Sequence, residues 1–268
     1  MDGISVRRHA PRGAAEGAIA EIVLERPAAM NAIDTAMARR LADACGEIAA
    51  DEQVRAVVLS GSPGRAFCAG ADLKERDRMG TAELLRQRTV FRAAFGAVLG
   101  LPQPAVAAVH GYALGGGCEL ALSCDLIVAD ETAVFGLPET TVGLVPGGGG
   151  TQLALRRLGA GRAADMVLTG RRIGVDEAAR IGLVDRRVPA GAAAEHALAL
   201  ARQVAANSPV AVRAAKRAIR RGWGAGLDAG LEIEDSAWRT AATSADRQEG
   251  IAAFTAKREP RWPGTWRQ

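Results

Sequence analysis

The chain has almost no lysine. Its basic residues are nearly all arginine, with lysine only at Lys74, Lys216 and Lys257, and they are scattered among a similar number of acidic residues, for a net charge of +4. Charge spread this way describes a solvated mixed surface rather than a track for nucleic acid. Histidine is as scarce: His9, His110 and His196 accompany no GxSxG elbow, so a hydrolase triad has no support. His110 ends an apolar run, where a structural role is expected. Cys45, Cys68, Cys118 and Cys124 form no CxxC pair and no Cys/His cluster, which signals neither a metal site nor a disulfide framework and suits a reducing cytoplasm. The start, "MDGISVRRHAPRG", lacks the apolar centre of a signal peptide and is expected to be a short frayed terminus. The one long apolar stretch, Ala105 to Cys124, is interrupted by His110, four glycines and Glu119. Such a segment is a poor membrane span and reads better as a buried strand, a loop and a helix.

What is present is enough apolar sequence for a sizeable core. At 268 residues, about half of them apolar, the chain suits one large domain with or without a small appendage. Strand-like runs stand at Ala18 to Pro27, Arg55 to Gly61, Ala105 to Gly111 and Asp125 to Asp130. Helical patterns lie between them: Asp34 caps one carrying Met37, Leu41, Cys45 and Ile48, and Thr81, Leu84, Leu85, Phe91 and Phe95 mark another. This alternation predicts an α/β fold. Gly182 to Pro189 is the last short strand candidate, and from Ala192 to Lys257 the pattern is helical, broken at Asn207 to Val210 and between Gly222 and Gly230. The expectation is an α/β core over residues 1–200 and a helical region over 201–268.

Glycine clusters and carboxylates carry the chemistry. "PGGGGTQ" (Pro146 to Gln152) has no lysine for a phosphate loop, and "GAGRAA" (Gly159 to Ala164) does not follow a strand. In "GYALGGGCELALSCD" (Gly111 to Asp125), three glycines precede a helical run. Unpaired N–H groups at a helix start, with no side chain in the way, let a polarised oxygen approach, and Gly116 is the expected donor. The loop "AFCAGADLKE" (Ala66 to Glu75) could offer a second donor from Ala71, and two such donors make an oxyanion hole. Glu119, one turn beyond Gly116, and Glu139, beside Pro138 in an apolar loop, are candidate acid and base. Spacing alone favours plainer roles for both: a charge complementing a helix N-terminus, and an exposed turn residue.

Taken in order, "LERPAAMNAID", "FCAGADLKE", "GYALGGGCELALSCD", "FGLPETTVGLVPGGGGTQ" and "DRQEGIAAFTAKREP" resemble the enoyl-CoA hydratase/isomerase, or crotonase, family over nearly the full chain. The resemblance implies a crotonase-like spiral of ββα units with a helical C-terminal trimerisation region, assembled as a homotrimer or a dimer of trimers. It puts the oxyanion hole on Ala71 and Gly116 and the two hydratase glutamates on Glu119, activating water, and Glu139, protonating Cα. It places Ala71, Asp72, Leu73 and Lys74 along the acyl-CoA and has Phe254 and Lys257 hold the nucleotide end across a subunit boundary. It implies no cofactor and no metal, coenzyme A being part of the substrate, in a cytoplasmic enzyme of acyl-CoA and fatty-acid metabolism with neither membrane nor nucleic acid as partner.

"GADLKER", "PGGGGTQ" and "KREPRWPG" look most like the methylglutaconyl-CoA hydratase branch, some members of which bind RNA. Here the early helix offers only Arg39 and Arg40 against Asp43, Glu47, Asp51 and Glu52, which argues against an RNA track. The other readings are an isomerase, needing chiefly one carboxylate, and an RNA-binding protein on the same fold. The stretch from Glu75 to Phe95 is expected to shape the acyl pocket and suits either a straight chain or a carboxylated branched one.

Overall fold

The computed structural model describes residues 3–11 and 17–264. Strands β1 (Ile4–His9) and β2 (Ala18–Leu24) are followed by α1 (Thr35–Ala50), β3 (Val54–Gly61), β4 (Ala66–Cys68), α2 (Leu73–Arg76) and α3 (Thr81–Leu99). Then come β5 (Ala105–Val109), β6 (Tyr112–Leu114), α4 (Gly116–Ser123), β7 (Leu126–Asp130), β8 (Val134–Gly136), α5 (Gly150–Leu158), α6 (Ala160–Thr169), β9 (Arg172–Gly174), α7 (Val175–Arg180) and β10 (Arg186–Val188). Four helices end the chain: α8 (Ala193–Ala205), α9 (Pro209–Gly222), α10 (Leu227–Ala242) and α11 (Ala245–Thr255).

The strands fall into two sheets, one ordered β1-β2-β3-β5-β7-β10 and the other β4-β6-β8-β9. Only β1 and β9 run antiparallel to their neighbours. Three times in succession a longer strand of the first sheet is followed by a short strand of the second and then by a helical stretch: β3-β4 with α2 and α3, β5-β6-α4 and β7-β8-α5. This is the spiral of ββα units. Its central strands are buried on both faces and therefore read as continuous apolar runs. On one face of the larger sheet Ile22, Leu24, Val57, Leu59, Val109 and Ile127 join the main core with α1, α3 and α4. On the other, Ile19, Val58, Val106 and Val128 pack on Ala197, Leu200 and Ala201 of α8. Helix α8 thus belongs to the sheet, and the expected boundary after residue 200 falls inside it.

Residues 4–9 correct the expectation of a frayed start. They form a full edge strand, paired from Ile4↔Leu24 to His9↔Ile19. Glu21, buried in β2, ties the edge down: its carboxylate meets His9 Nε2 at 2.8 Å and accepts from Ser60 Oγ at 2.7 Å. Met1, Asp2, Arg12 and Gly13 of that segment lie outside the described residues. Helix α9 is held to the core by charge: Lys216 and Arg220 both pair with Asp125, at 2.7 and 2.8 Å. No helix among the described residues is long and apolar enough to cross a membrane.

Candidate active site

Where β6 runs into α4, the backbone turns on Gly115, with φ +52° and ψ −122°, a conformation that L side chains rarely adopt. Each glycine that follows is squeezed by a different neighbour. A β-carbon on Gly116 would lie 3.2 Å from Phe95 Cζ and 3.7 Å from Ala71 N, while one on Gly117 would sit 2.0 Å from the Cys68 carbonyl oxygen. Bare backbone therefore lets the start of α4 dock against the end of β4. The two candidate donors are brought face to face: Gly116 N–H opens the helix and has no partner within it, and Ala71 N–H makes no backbone hydrogen bond among the described residues. The loop carrying Ala71 is fixed on both sides, Gly70 O accepting from Ile33 N and Asp72 N donating to Ile33 O, each at 2.8 Å.

Both donors face a cavity of about 570 Å³, lined also by Leu73, Glu119 and Glu139. Glu119 is only 3% exposed, and its Oε1 accepts from Gly148 N and Gly150 N, each at 2.7 Å. "PGGGGTQ" is thus a cradle for Glu119. A β-carbon on Gly150 would strike Glu119 Oε1 at 2.9 Å, and one on Gly148 would overlap the Phe95 ring at 2.4 Å. Burial raises the pKa of Glu119, and the two N–H groups oppose the rise. Glu139 stands in a short 3₁₀ turn, Pro138–Val142, and is half-buried, not the exposed turn residue that spacing alone suggested. Its Oε2 is buried with no hydrogen-bond partner. Burial, with the charge of Glu119 adding to it, pushes its carboxyl up to about 7, and Arg76 pulls the other way. The two carboxyls thus differ: Glu119 is held by two N–H donors from another loop, whereas Glu139 has only its own backbone N–H and leaves Oε2 without a partner.

Of the remaining candidates, Asp72 and Lys74 border an adjoining depression with Arg26 and Arg78 rather than the cavity. Asp72 is committed to structure. It caps α2, its Oδ1 accepting from Lys74 N at 3.0 Å and from Glu75 N at 3.3 Å, and it pairs with Arg26 at 3.0 Å. Burial opposes its ionisation, but these partners outweigh it and hold the carboxyl below its usual range. Phe254 and Lys257 are exposed and line neither. His110 is also apart from the cavity, its Nε2 buried without a partner and its pKa pushed down by burial. The stretch from Glu75 to Phe95, expected to shape the acyl pocket, does supply wall residues, among them Arg76, Leu84, Arg88 and Phe91; sequence reasoning missed Arg172 in that wall and the cradle of Gly148 and Gly150. The glycine run itself was the only signal for the cradle.

Residues 14–265 match the model of a protein family described as enoyl-CoA hydratase/isomerase. The chain belongs to this family. An enoyl-CoA hydratase from Bacillus anthracis has the same fold, with a TM-score of 0.93 and 40% identity over 98% of this chain and 100% of that one. The 2,3-dehydroadipyl-CoA hydratase of Escherichia coli K12 is 42% identical over 91% of this chain and 94% of its own length. The short-chain-enoyl-CoA hydratase of Clostridium acetobutylicum is 38% identical at the same coverage. The chain is thus an enzyme of the enoyl-CoA hydratase/isomerase family, and among its described residues open backbone donors and buried carboxyls come together at the cavity over Ala71, Gly116, Glu119 and Glu139.

Proposed function

We propose that the protein adds water across the 2,3 double bond of a 2-enoyl-CoA thioester to give the 3-hydroxyacyl-CoA. The observation that carries this reading is the difference between the two glutamates over one cavity. The thioester oxygen sits between Ala71 N–H and Gly116 N–H, which stabilise the enolate as charge moves onto that oxygen. Glu119, braced in its charged form by Gly148 and Gly150, takes a proton from water as the water oxygen bonds to Cβ. Glu139, whose carboxyl near 7 retains a proton, delivers it to Cα as the enolate collapses. The sum is one C–O and one C–H bond gained, with one O–H bond of water and the π bond between Cα and Cβ broken. Glu119 ends protonated and Glu139 ionised, and a proton returned through the next water restores them. Coenzyme A is substrate in this scheme, and no cofactor takes part.

Lys74, beside Arg26 and Arg78 in the adjoining depression, is placed to meet the anionic end of coenzyme A. Phe254 and Lys257 stand outside this chain's own cavity, which supports their serving a neighbouring copy in a trimer or dimer of trimers.

The test is Glu119→Gln and Glu139→Gln, assayed by loss of the conjugated-thioester absorbance. Each lowers hydration by at least the roughly 10²-fold of a lost general acid or base. The double variant is little worse than the poorer single one, because residues acting as one unit are not additive. If Glu119→Gln hydrates normally while Glu139→Gln abolishes 3-enoyl to 2-enoyl conversion, the site is an isomerase instead.

A further inference from the structure

The wall of the cavity formed by α2 and α3 carries more positive charge than hydration uses. Arg76 and Arg88 both line it, among Leu84, Leu85 and Phe91. Arg76 is fixed in place: its guanidinium lies 5.0 Å from the centre of the Phe91 ring and donates to Gln87 Oε1 at 3.0 Å. Gln87 is itself buried and donates to Thr35 Oγ1 and Glu75 Oε2. Arg88 is one turn further along α3 than Leu84, with its guanidinium carbon 3.4 Å from where Gly147 would carry a β-carbon. Its side chain makes no hydrogen bond or ion pair among the described residues. Burial depresses the pKa of Arg76, and the like charge of Arg88 adds to that. Three guanidiniums line the cavity, those of Arg76, Arg88 and Arg172, against two carboxyls, Glu119 and Glu139, whose ionisation burial opposes; Glu75, beside Arg76, offsets part of that positive charge. An acyl chain without charge would cover this wall and leave the surplus desolvated, which is costly.

The position of Arg88 says which part of a ligand it meets. A thioester anchored at Ala71 and Gly116 passes Glu119, whose cradle is Gly148, and the next residue of that loop is Gly147, under Arg88. We propose that this wall is a subsite for a carboxylate at the far end of the acyl chain, with Arg88 as its principal partner and Arg76 as the second. The substrate class is then the 2-enoyl-CoA thioesters of dicarboxylic acids. Guanidinium and carboxylate match as a two-pronged pair, and the pairing relieves the repulsion between the arginines. This assignment rests on the acyl-CoA reading given above and chooses between the straight and carboxylated chains that the sequence left open.

The test compares two saturated, unreactive ligands by calorimetry: hexanedioyl-CoA and its ω-methyl ester, equal in reach but not in charge. The native protein binds the diacid about 10- to 100-fold more tightly, the range of a hydrogen-bonded charge pair. The preference shrinks as salt is raised. Arg88→Gln, on an exposed stretch of α3, reduces the ratio about tenfold. Equal binding of the two ligands overturns the proposal, as does an unchanged ratio in Arg88→Gln. So does an equal weakening of free coenzyme A in Arg88→Gln, because Arg88 would then be serving the nucleotide's phosphates. Hydration of the matching 2-enoyl thioesters separates this failure from that of the hydratase reading. Turnover of the methyl ester without preference for the diacid refutes the subsite alone, whereas preference for the diacid with no hydration of either keeps the subsite and removes the hydratase.

Discussion

Gly117→Ala puts the purpose of the first glycine cluster to a quantitative test. A β-carbon at this position lies 2.0 Å from the Cys68 carbonyl oxygen and 2.7 Å from its carbonyl carbon. Real β-carbons keep at least 3.0 Å from such atoms, so α4 and β4 must part by about 1 Å. Gly116 N–H sits on one side of that joint, and Ala71 N–H, three residues beyond Cys68, sits on the other, so the gap of the proposed oxyanion hole opens with it. A misplacement of about 1 Å costs on the order of 10²-fold in rate, or about 2.7 kcal/mol of transition-state stabilisation. Because the hole acts on charge that develops in the transition state, kcat falls together with kcat/KM. Stability suffers as well: overpacking costs about 1–3 kcal/mol, partly offset by the roughly 1 kcal/mol that alanine gains over glycine in a helix. Gly46→Ala is the control. Gly46 is exposed in the interior of α1, with no atom within 4 Å of its would-be β-carbon, so the variant gains up to about 1 kcal/mol and keeps native turnover. Denaturant melts and enoyl-CoA turnover measure both quantities. A folded Gly117→Ala with native kcat/KM refutes the claim that close docking of α4 on β4 builds the hole.

Gly116→Pro leaves a residue suited to the first position of α4 but deletes the N–H, and hydration falls about 10²- to 10³-fold while the helix survives in circular dichroism. If Glu139 supplies the Cα proton as proposed, that proton is lost as pH rises through about 7, and kcat/KM for hydration declines about tenfold per pH unit above that point. Arg76 lowers the Glu139 pKa, so Arg76→Gln moves this alkaline limb upward, and a limb that stays put assigns it to another group. The C-terminal helices expose Leu227 (77%), Trp238 (68%) and Leu231 (52%), apolar surface of the kind that associates. Sedimentation at micromolar concentration returns a trimer or hexamer, and a stable monomer refutes this.

How much of this was legible depended on where each strand lies. The central strands β2, β3, β5 and β7 are covered on both faces, so their apolar runs announce them. Helix α1 was equally plain, with Asp34 Oδ1 capping Met37 N at 2.8 Å and its apolar stripe buried. The second sheet was not, because β4, β6, β8 and β9 have three residues each, too few for any period to show. Strand β1 hid for another reason: as an edge it needs a single partner, and Arg7 and Arg8 face water. The residues themselves could mark Glu119 and Glu139 only as candidates; the family resemblance alone gave them separate roles, and their physical difference could not be read. That difference comes from backbone donors and burial, which carry no side-chain signature.

The second glycine run shows the limit most sharply, since the physical rule applied to it was sound and only the ligand was misjudged. Glycines opening a helix, as Gly149 and Gly150 open α5, make a place for an anion. Without a lysine no phosphate was expected there, and the run was left without a task. The anion is the chain's own: Gly148 N–H and Gly150 N–H hold Glu119 Oε1 at the N-terminus of α5, across 31 residues of sequence in the longer case. Each glycine also admits a neighbour that a side chain would exclude, Phe95 at Gly148 and Glu119 itself at Gly150. Phe95 lies against Gly116 as well, so one ring packs the hole and the cradle together. The two glycine clusters are therefore coupled: the first leaves backbone donors open to the cavity, and the second commits its donors to Glu119, the base in the proposed reaction.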